Sequence, residues 1–277
     1  MIGVYKETWD DRDFDRFEIG KVRGRVCLLA DEPFPAVSHI VSFANPPPIR
    51  IRWYAWRKNV PVTVARAMTV PSSQPASFAA VRNLFRMEEQ PVRCGESLEE
   101  YTPVRDRNVG YVFVDQAIGI DPEETVDGIH IDREQYKASV IRFLDKVREM
   151  YRNNRVVVLA HPRTSEASFG DYPVIHHATN DMIAASLGVI GHFSTALGVA
   201  IRCRKPMILL TTPELESAGF GRYILGLARE ILVPVHTPDV VPQFYMPMNV
   251  EEYEAKHLNM GCPTFPELID RLGQVRP

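Results

Sequence analysis

The amino-acid sequence predicts an α/β protein whose second half is a doubly wound, parallel-sheet domain of Rossmann-like type. Three observations carry that prediction. Four short runs, VGYVFVD (109–115), VVVLA (156–160), GVIG (188–191) and KPMILLTT (205–212), are apolar at consecutive positions, as strands buried on both faces require. Segments of helical periodicity lie between them, so the strands are joined by helical crossovers rather than hairpins. Polar and ionisable residues stand just past each run, where open α/β sheets bind their ligands.

Residues 1–108 read differently. Ten prolines, three of them consecutive at Pro46, Pro47 and Pro48, interrupt the periodic signal. RVCLLA (25–30), IRIRWYAW (49–56) and VPVTVARAMTV (60–70) fit strands, and SFAAVRNLFRM (77–87) fits a helix. The expectation is a smaller, less regular N-terminal domain over 1–108, whose polar end, GESLEEYTPVRDRN (95–108), serves as a linker.

The second domain, 109–277, opens with the VGYVFVD strand. Asp132 with Gln135 three residues later forms a capping box. The helix it starts carries Tyr136, Val140, Phe143, Leu144, Val147 and Tyr151 on one face, a core stripe. Asn153-Asn154 ends it. VVVLA follows, then a strand in YPVIHH (172–177) and a short helix near 180–187 closed by Gly188. After GVIG a helix starts at Ser194 or Thr195. KPMILLTT precedes a helix around 220–231 and a strand in VPVHT (233–237). Asn249 with Glu252, and Thr264 with Glu267, cap two C-terminal helices.

The 277 residues are 45% hydrophobic and 24% charged, the composition of a globular protein with a real core. A formal net charge of −3 excludes a broadly basic nucleic-acid binder but not a local phosphate pocket. Cys27, Cys94, Cys203 and Cys262 are widely spaced, against a zinc knuckle or disulfide framework. No N-terminal signal and no membrane-length apolar run is found, so the expected location is cytoplasmic, with peripheral membrane association left open.

The candidate site lies at the strand ends. RVVVLAHPRTS (155–165) stops a buried strand at His161, Pro162 and Arg163. The proline fixes the turn, the guanidinium offers a planar, permanently charged fork to a phosphate, and imidazole donates to phosphate oxygens near neutral pH. GVIGHFSTALGVA (188–200) brings Gly191, His192, Ser194 and Thr195 to another strand end. Two hydroxyls and free backbone N–H groups at a helix start suit a phosphate, although Ser194 or Thr195 can equally cap its own helix. Asp115 is either a base or a turn cap. His176 and His177 point to opposite faces of an extended segment, which disfavours a shared metal ion, and none is expected.

VFVDQAIG, VVVLAHPR, VIGHFSTAL and KPMILLTTPEL, in that order over about 109–235, resemble the C-terminal half of GT-B glycosyltransferases. The likeness is greatest to bacterial sialyltransferase and polysialyltransferase-like enzymes and related surface-carbohydrate proteins. The resemblance implies a GT-B-like, two-domain architecture with an acceptor side in 1–108. His161 and Pro162 match the family's HP motif, and Ser194 and Thr195 its Ser/Thr motif, which together bind the donor's nucleotide phosphate. It implies sugar transfer from a nucleotide-activated donor, CMP-linked (as in CMP-sialate) or UDP-linked, to a surface glycan, with no cofactor beyond that donor. The family's base, in an acidic-acidic-Gly motif, has no copy here: Asp10-Asp11 and Asp31-Glu32 lack the glycine. Two other readings use the same frame: a nucleotide-sugar 2-epimerase or hydrolase, and a non-catalytic nucleotide- or glycan-binding protein.

Overall fold

The computed structural model describes residues 1–5, 22, 24–29, 34, 36–43, 48–66, 87–91, 109–120, 129–152, 154–161, 164, 168–176, 179–258 and 262–274. Its strands are β1 (Ile2–Tyr5), β2 (Val26–Leu28), β3 (His39–Phe43), β4 (Val62–Arg66), β5 (Glu88–Pro91), β6 (Tyr111–Val114), β7 (Val156–Leu159), β8 (Val174–Ile175), β9 (Gly188–Gly191), β10 (Met207–Leu210) and β11 (Val235–His236). Its helices are α1 (Ile49–Lys58), α2 (Arg133–Met150), α3 (Thr179–Ala185), α4 (Leu197–Arg202), α5 (Pro213–Ser217), α6 (Gly221–Ile231), α7 (Val250–His257) and α8 (Phe265–Gln274). The chain divides into two compact units, Met1–Thr69 with Ser73–Ser97 and Ala255–Pro277, and Val70–Ser72 with Leu98–Glu254.

The first unit holds a five-stranded, wholly parallel sheet in the order β2-β1-β3-β4-β5. Neighbouring residues along its strands go to opposite faces, as the two-residue period dictates. Ile40 and Val64 join Leu29, Val62 and Met87 against Ile51 and Ala55 of α1. Val41 and Ala65 join Ile2, Val4 and Val22 against Phe265, Leu268 and Ile269 of α8. Arg25 and Asp270 add an ion pair at that second contact.

Three sequence expectations change here. The N-terminal part is a regular doubly wound sheet, because short strands such as IGVY and HIVSF (2–5 and 39–43) carry too few residues to stand out among prolines. IRIRWYAW (49–56) is not a strand. Ile51 and Ala55 sit four apart and are buried together, Pro48 precedes the first turn, and Asn59 ends the helix in the left-handed conformation at φ 52°. The second unit ends at Glu254 rather than 277, since the apolar stripe of α8 is spent on the first sheet. The expected 77–87 helix and 95–108 linker lie outside the described residues, except Met87.

The second unit is built as its sequence predicts. Its six parallel strands run in the order β11-β10-β9-β6-β7-β8. The chain enters in the middle at β6, steps outward to β7 and β8, then returns to place β9 on the other flank of β6. Order therefore reverses between β6 and β9. β7, β9 and β10 are buried at every position. Entry to β6 needs a glycine: Gly110 has φ 84°, and a Cβ there would meet the Arg155 carbonyl oxygen at 2.0 Å. Asp132 caps α2 by accepting from the Glu134 and Gln135 N–H groups, and Tyr136, Val140, Phe143, Leu144 and Val147 are all buried.

Candidate functional site

Reversal of strand order leaves a crevice at the carboxyl ends of β6 and β9, because the connections leaving them go to opposite sides of the sheet. Asp115 and Gln116 follow β6, and His192 to Thr195 follow β9. Gln116 Oε1 accepts the Phe193 N–H at 2.9 Å, tying the two strand ends together. His161 follows β7, the next strand over, and is half-buried. Its carbonyl accepts from the Thr164 N–H at 2.8 Å, closing the turn that the HP sequence predicts. Pro162 and Arg163 themselves lie outside the described residues, as do the acidic pairs Asp10-Asp11 and Asp31-Glu32.

Asp115 takes the turn-capping role, one of the two its position suggested. Its Oδ1 accepts the Ala117 N–H at 3.2 Å, capping a turn in which Ala117 takes φ 57°. Its Oδ2 is buried with no hydrogen-bond partner among the described residues. A buried carboxylate oxygen without a donor is costly, on the order of 1–3 kcal/mol or more.

Gly191 ends β9 with Leu197 so close that a Cβ would lie 2.8 Å from its side chain. Ser194 is half-buried and Thr195 exposed. The Ser194 hydroxyl accepts from the Ala196 N–H at 3.2 Å, and the Ser194 and Thr195 carbonyls accept from Leu197 and Gly198. These bonds make a turn, so α4 starts at Leu197, later than the sequence expectation, and is six residues long. Among the described residues no acceptor takes the Ser194 or Thr195 backbone N–H. The pair of N–H groups, more than a helix dipole, is what this strand end offers an anion.

His192 corrects the expectation of a phosphate-binding side chain. It is 0% exposed. Its Nδ1–H donates to the Leu210 carbonyl at 2.5 Å, and Tyr136 Oη donates to its Nε2 at 2.8 Å. Burial pushes its pKa down to about 4, against the smaller upward pull of the Leu210 carbonyl. The ring is thus a neutral strut between α2 and the β9–β10 pair. His176 is exposed at the end of β8, and His177 lies outside the described residues. No group of three or more metal-ligating side chains occurs among the described residues.

Two features escape the sequence reading. A surface pocket of about 460 Å³ opens beside the N-terminus of α2 and the β10 end, lined by His130, Asp132, Gln135, Pro213 and Glu214 among others. Glu214 Oε1 accepts from Ser139 Oγ at 3.1 Å, while its Oε2 is buried without a partner among the described residues. The second is a cluster of Phe193, Phe220 and Tyr223, with ring centroids 5.3, 5.5 and 6.2 Å apart, which places aromatic faces next to Ser194. Glu214 reads in sequence as first-turn helix chemistry. Phe193 is distant in sequence from Phe220 and Tyr223, so only the fold joins them.

No protein-family model matches the chain, and no curated protein matches it. Solved structures with a similar course of chain include MurG from Acinetobacter baumannii, at TM-score 0.48 and 10% identity over 86% of this chain and 74% of that one. CalG4, the calicheamicin glycosyltransferase, is similar at TM-score 0.42 and 14% identity over 96% and 77%. A UDP-GlcNAc 2-epimerase from Methanocaldococcus jannaschii is similar at TM-score 0.36 and 11% identity over 81% and 76%.

Proposed function

We propose that this chain transfers a sugar from a nucleotide-activated donor, CMP-linked by its sequence resemblance, to a glycan acceptor. The observation that carries the reading is the strand-order reversal between β6 and β9, which gathers Asp115, Gln116, Ser194 and Thr195 at one crevice with His161 on the adjacent strand end. The donor phosphate rests on the Ser194 and Thr195 N–H groups and hydroxyls. An acceptor hydroxyl attacks the anomeric carbon, the bond from that carbon to the phosphate oxygen breaks, and the nucleotide leaves with the electron pair. His161 donates a hydrogen bond or proton to that oxygen, and Arg163 offsets its charge. The acceptor's proton goes to Asp115, the candidate base at the β6 end, whose Oδ2 is unpartnered among the described residues. Glu214 accepts hydrogen bonds from sugar hydroxyls of the bound nucleotide, and the Phe193 cluster offers a ring face for stacking.

Calorimetric titration with CMP, UDP, GDP and ADP, on wild type and His161→Ala, tests this. Tight binding of one nucleotide, weakened in the variant, supports the donor site, and incubation with the matching nucleotide sugar and a glycan acceptor should then yield transfer. Turnover of donor without acceptor would favour the epimerase or hydrolase reading. Unchanged binding and transfer in His161→Ala would remove the histidine from the mechanism.

A further inference from the structure

Helix α1 carries a surface that the sugar-transfer reading does not use. Its inner face, Ile51 and Ala55, is buried against the first sheet. On the opposite side Ile49, Trp53 and Trp56 leave 57, 52 and 70% of their surface exposed. At about 100° of rotation per residue these three fall within one narrow stripe, one turn above another. Arg52 flanks it on one side, and Arg50 and Arg57 on the other. The helix sequence IRIRWYAWRK has three arginines, one lysine and no acidic residue, in a chain whose net charge is −3. Arg57 lies over the Trp53 ring at 6.0 Å, and the Trp53 and Trp56 ring centroids are 5.9 Å apart. Arg57 and Lys58 in the last turn also complement the helix dipole, but the dipole gives no reason for exposed indoles.

We propose that α1 docks the protein on an anionic lipid bilayer, with Ile49, Trp53 and Trp56 entering the headgroup boundary and the exposed Arg57 and Lys58 meeting lipid phosphates. Charge complementarity selects this occupant. A cationic rim around a tryptophan-rich stripe matches an interface that is negatively charged outside and apolar beneath. Indole rings favour that depth because an apolar body adjoins one N–H donor. Arginine stems can lie along the apolar boundary while their guanidinium groups stay at the phosphates. The helix lies in the plane of the surface. No helix among the described residues is long and apolar enough to cross a membrane.

Vesicle flotation of the full chain tests the proposal, with phosphatidylcholine alone and with phosphatidylglycerol added. The expected result is flotation with the anionic vesicles only, loss of binding at high salt, and a blue shift of tryptophan emission. Trp53→Ala/Trp56→Ala and Arg57→Glu/Lys58→Glu should each weaken binding by about tenfold or more. Because the substituted side chains are exposed, unchanged melting confirms folding, and single Trp56→Ser serves if a double variant melts early. Failure of the folded wild type to float, or equal flotation of all variants, overturns the proposal. So does a concentration-dependent dimer that the tryptophan variants abolish, since that would assign the stripe to a second copy. Nucleotide titration is a separate readout, so loss of one proposal leaves the other standing.

Discussion

Tyr136→Phe isolates the interaction that holds the β9 strand end in place. Tyr136 is 0% exposed, and its hydroxyl donates to His192 Nε2 at 2.8 Å. Nδ1 carries the ring's only proton and gives it to the Leu210 carbonyl, so Nε2 can only accept. Phenylalanine keeps the ring and its packing, and the lost oxygen leaves less than a water's volume. What remains is a buried acceptor without a donor, which costs about 1–3 kcal/mol. With a centre near ~2 kcal/mol, the melting temperature of a unit this size falls by about 4–8 °C. Urea denaturation followed by far-UV circular dichroism measures the free energy directly. Repeating it in a His192→Phe background removes the partner, and there the Tyr136→Phe cost should shrink by at least about 1 kcal/mol. A single variant within about 0.5 kcal/mol of wild type, or equal costs in both backgrounds, would refute the strut.

His192 also sets an acid limit: below pH 6.5 the unfolded ring takes up a proton that the folded ring, held down to about 4 by burial, refuses. Stability present above pH 6.5 is therefore lost as pH falls toward 4, by about 1.4 kcal/mol per unit. In His192→Gln the drop in urea-derived stability between pH 7 and pH 5 should shrink by about 2 kcal/mol, and an unchanged drop would count against a buried neutral ring. Burial lowers His39 and His236 in the same direction, so the comparison with the variant is what singles out His192. Gly110→Ala should cost more than about 3 kcal/mol, since both its φ of 84° and the Arg155 carbonyl oppose a side chain, and differential scanning calorimetry would show it. Asp132→Ala removes the α2 cap and should cost about 1 kcal/mol, with Asp132→Asn recovering most of it on the same melts.

Much of the second unit was legible because its signals are local. Consecutive burial in VVVL and MILL, the Asp132 cap and the stripe from Tyr136 to Val147 all lie within one turn or strand of their partners. The rule that ligands gather at carboxyl ends then pointed to Asp115, His161 and Ser194 without any knowledge of strand order. The first unit was less legible. Its strands are three to five residues long, and in IRIRWYAW the alternation of Ile with Arg imitates a strand although Ile51 and Ala55 keep helical spacing.

By itself, then, the sequence determined which segments are buried strands, where α2 begins, and which polar residues stand at strand ends. Each of these follows from propensity, periodicity or capping among neighbours in the chain. Only the tertiary structure decided that strand order reverses between β6 and β9, that His192 is a neutral strut, that α8 closes the first sheet, and that Trp53 and Trp56 face outward. Those outcomes depend on which distant surfaces meet. An apolar stripe states that a face must be covered, and a histidine states that a proton can be held, but neither states by what. Packing supplies the partner, and here the partners come from as far apart as Ile2 and Ile269.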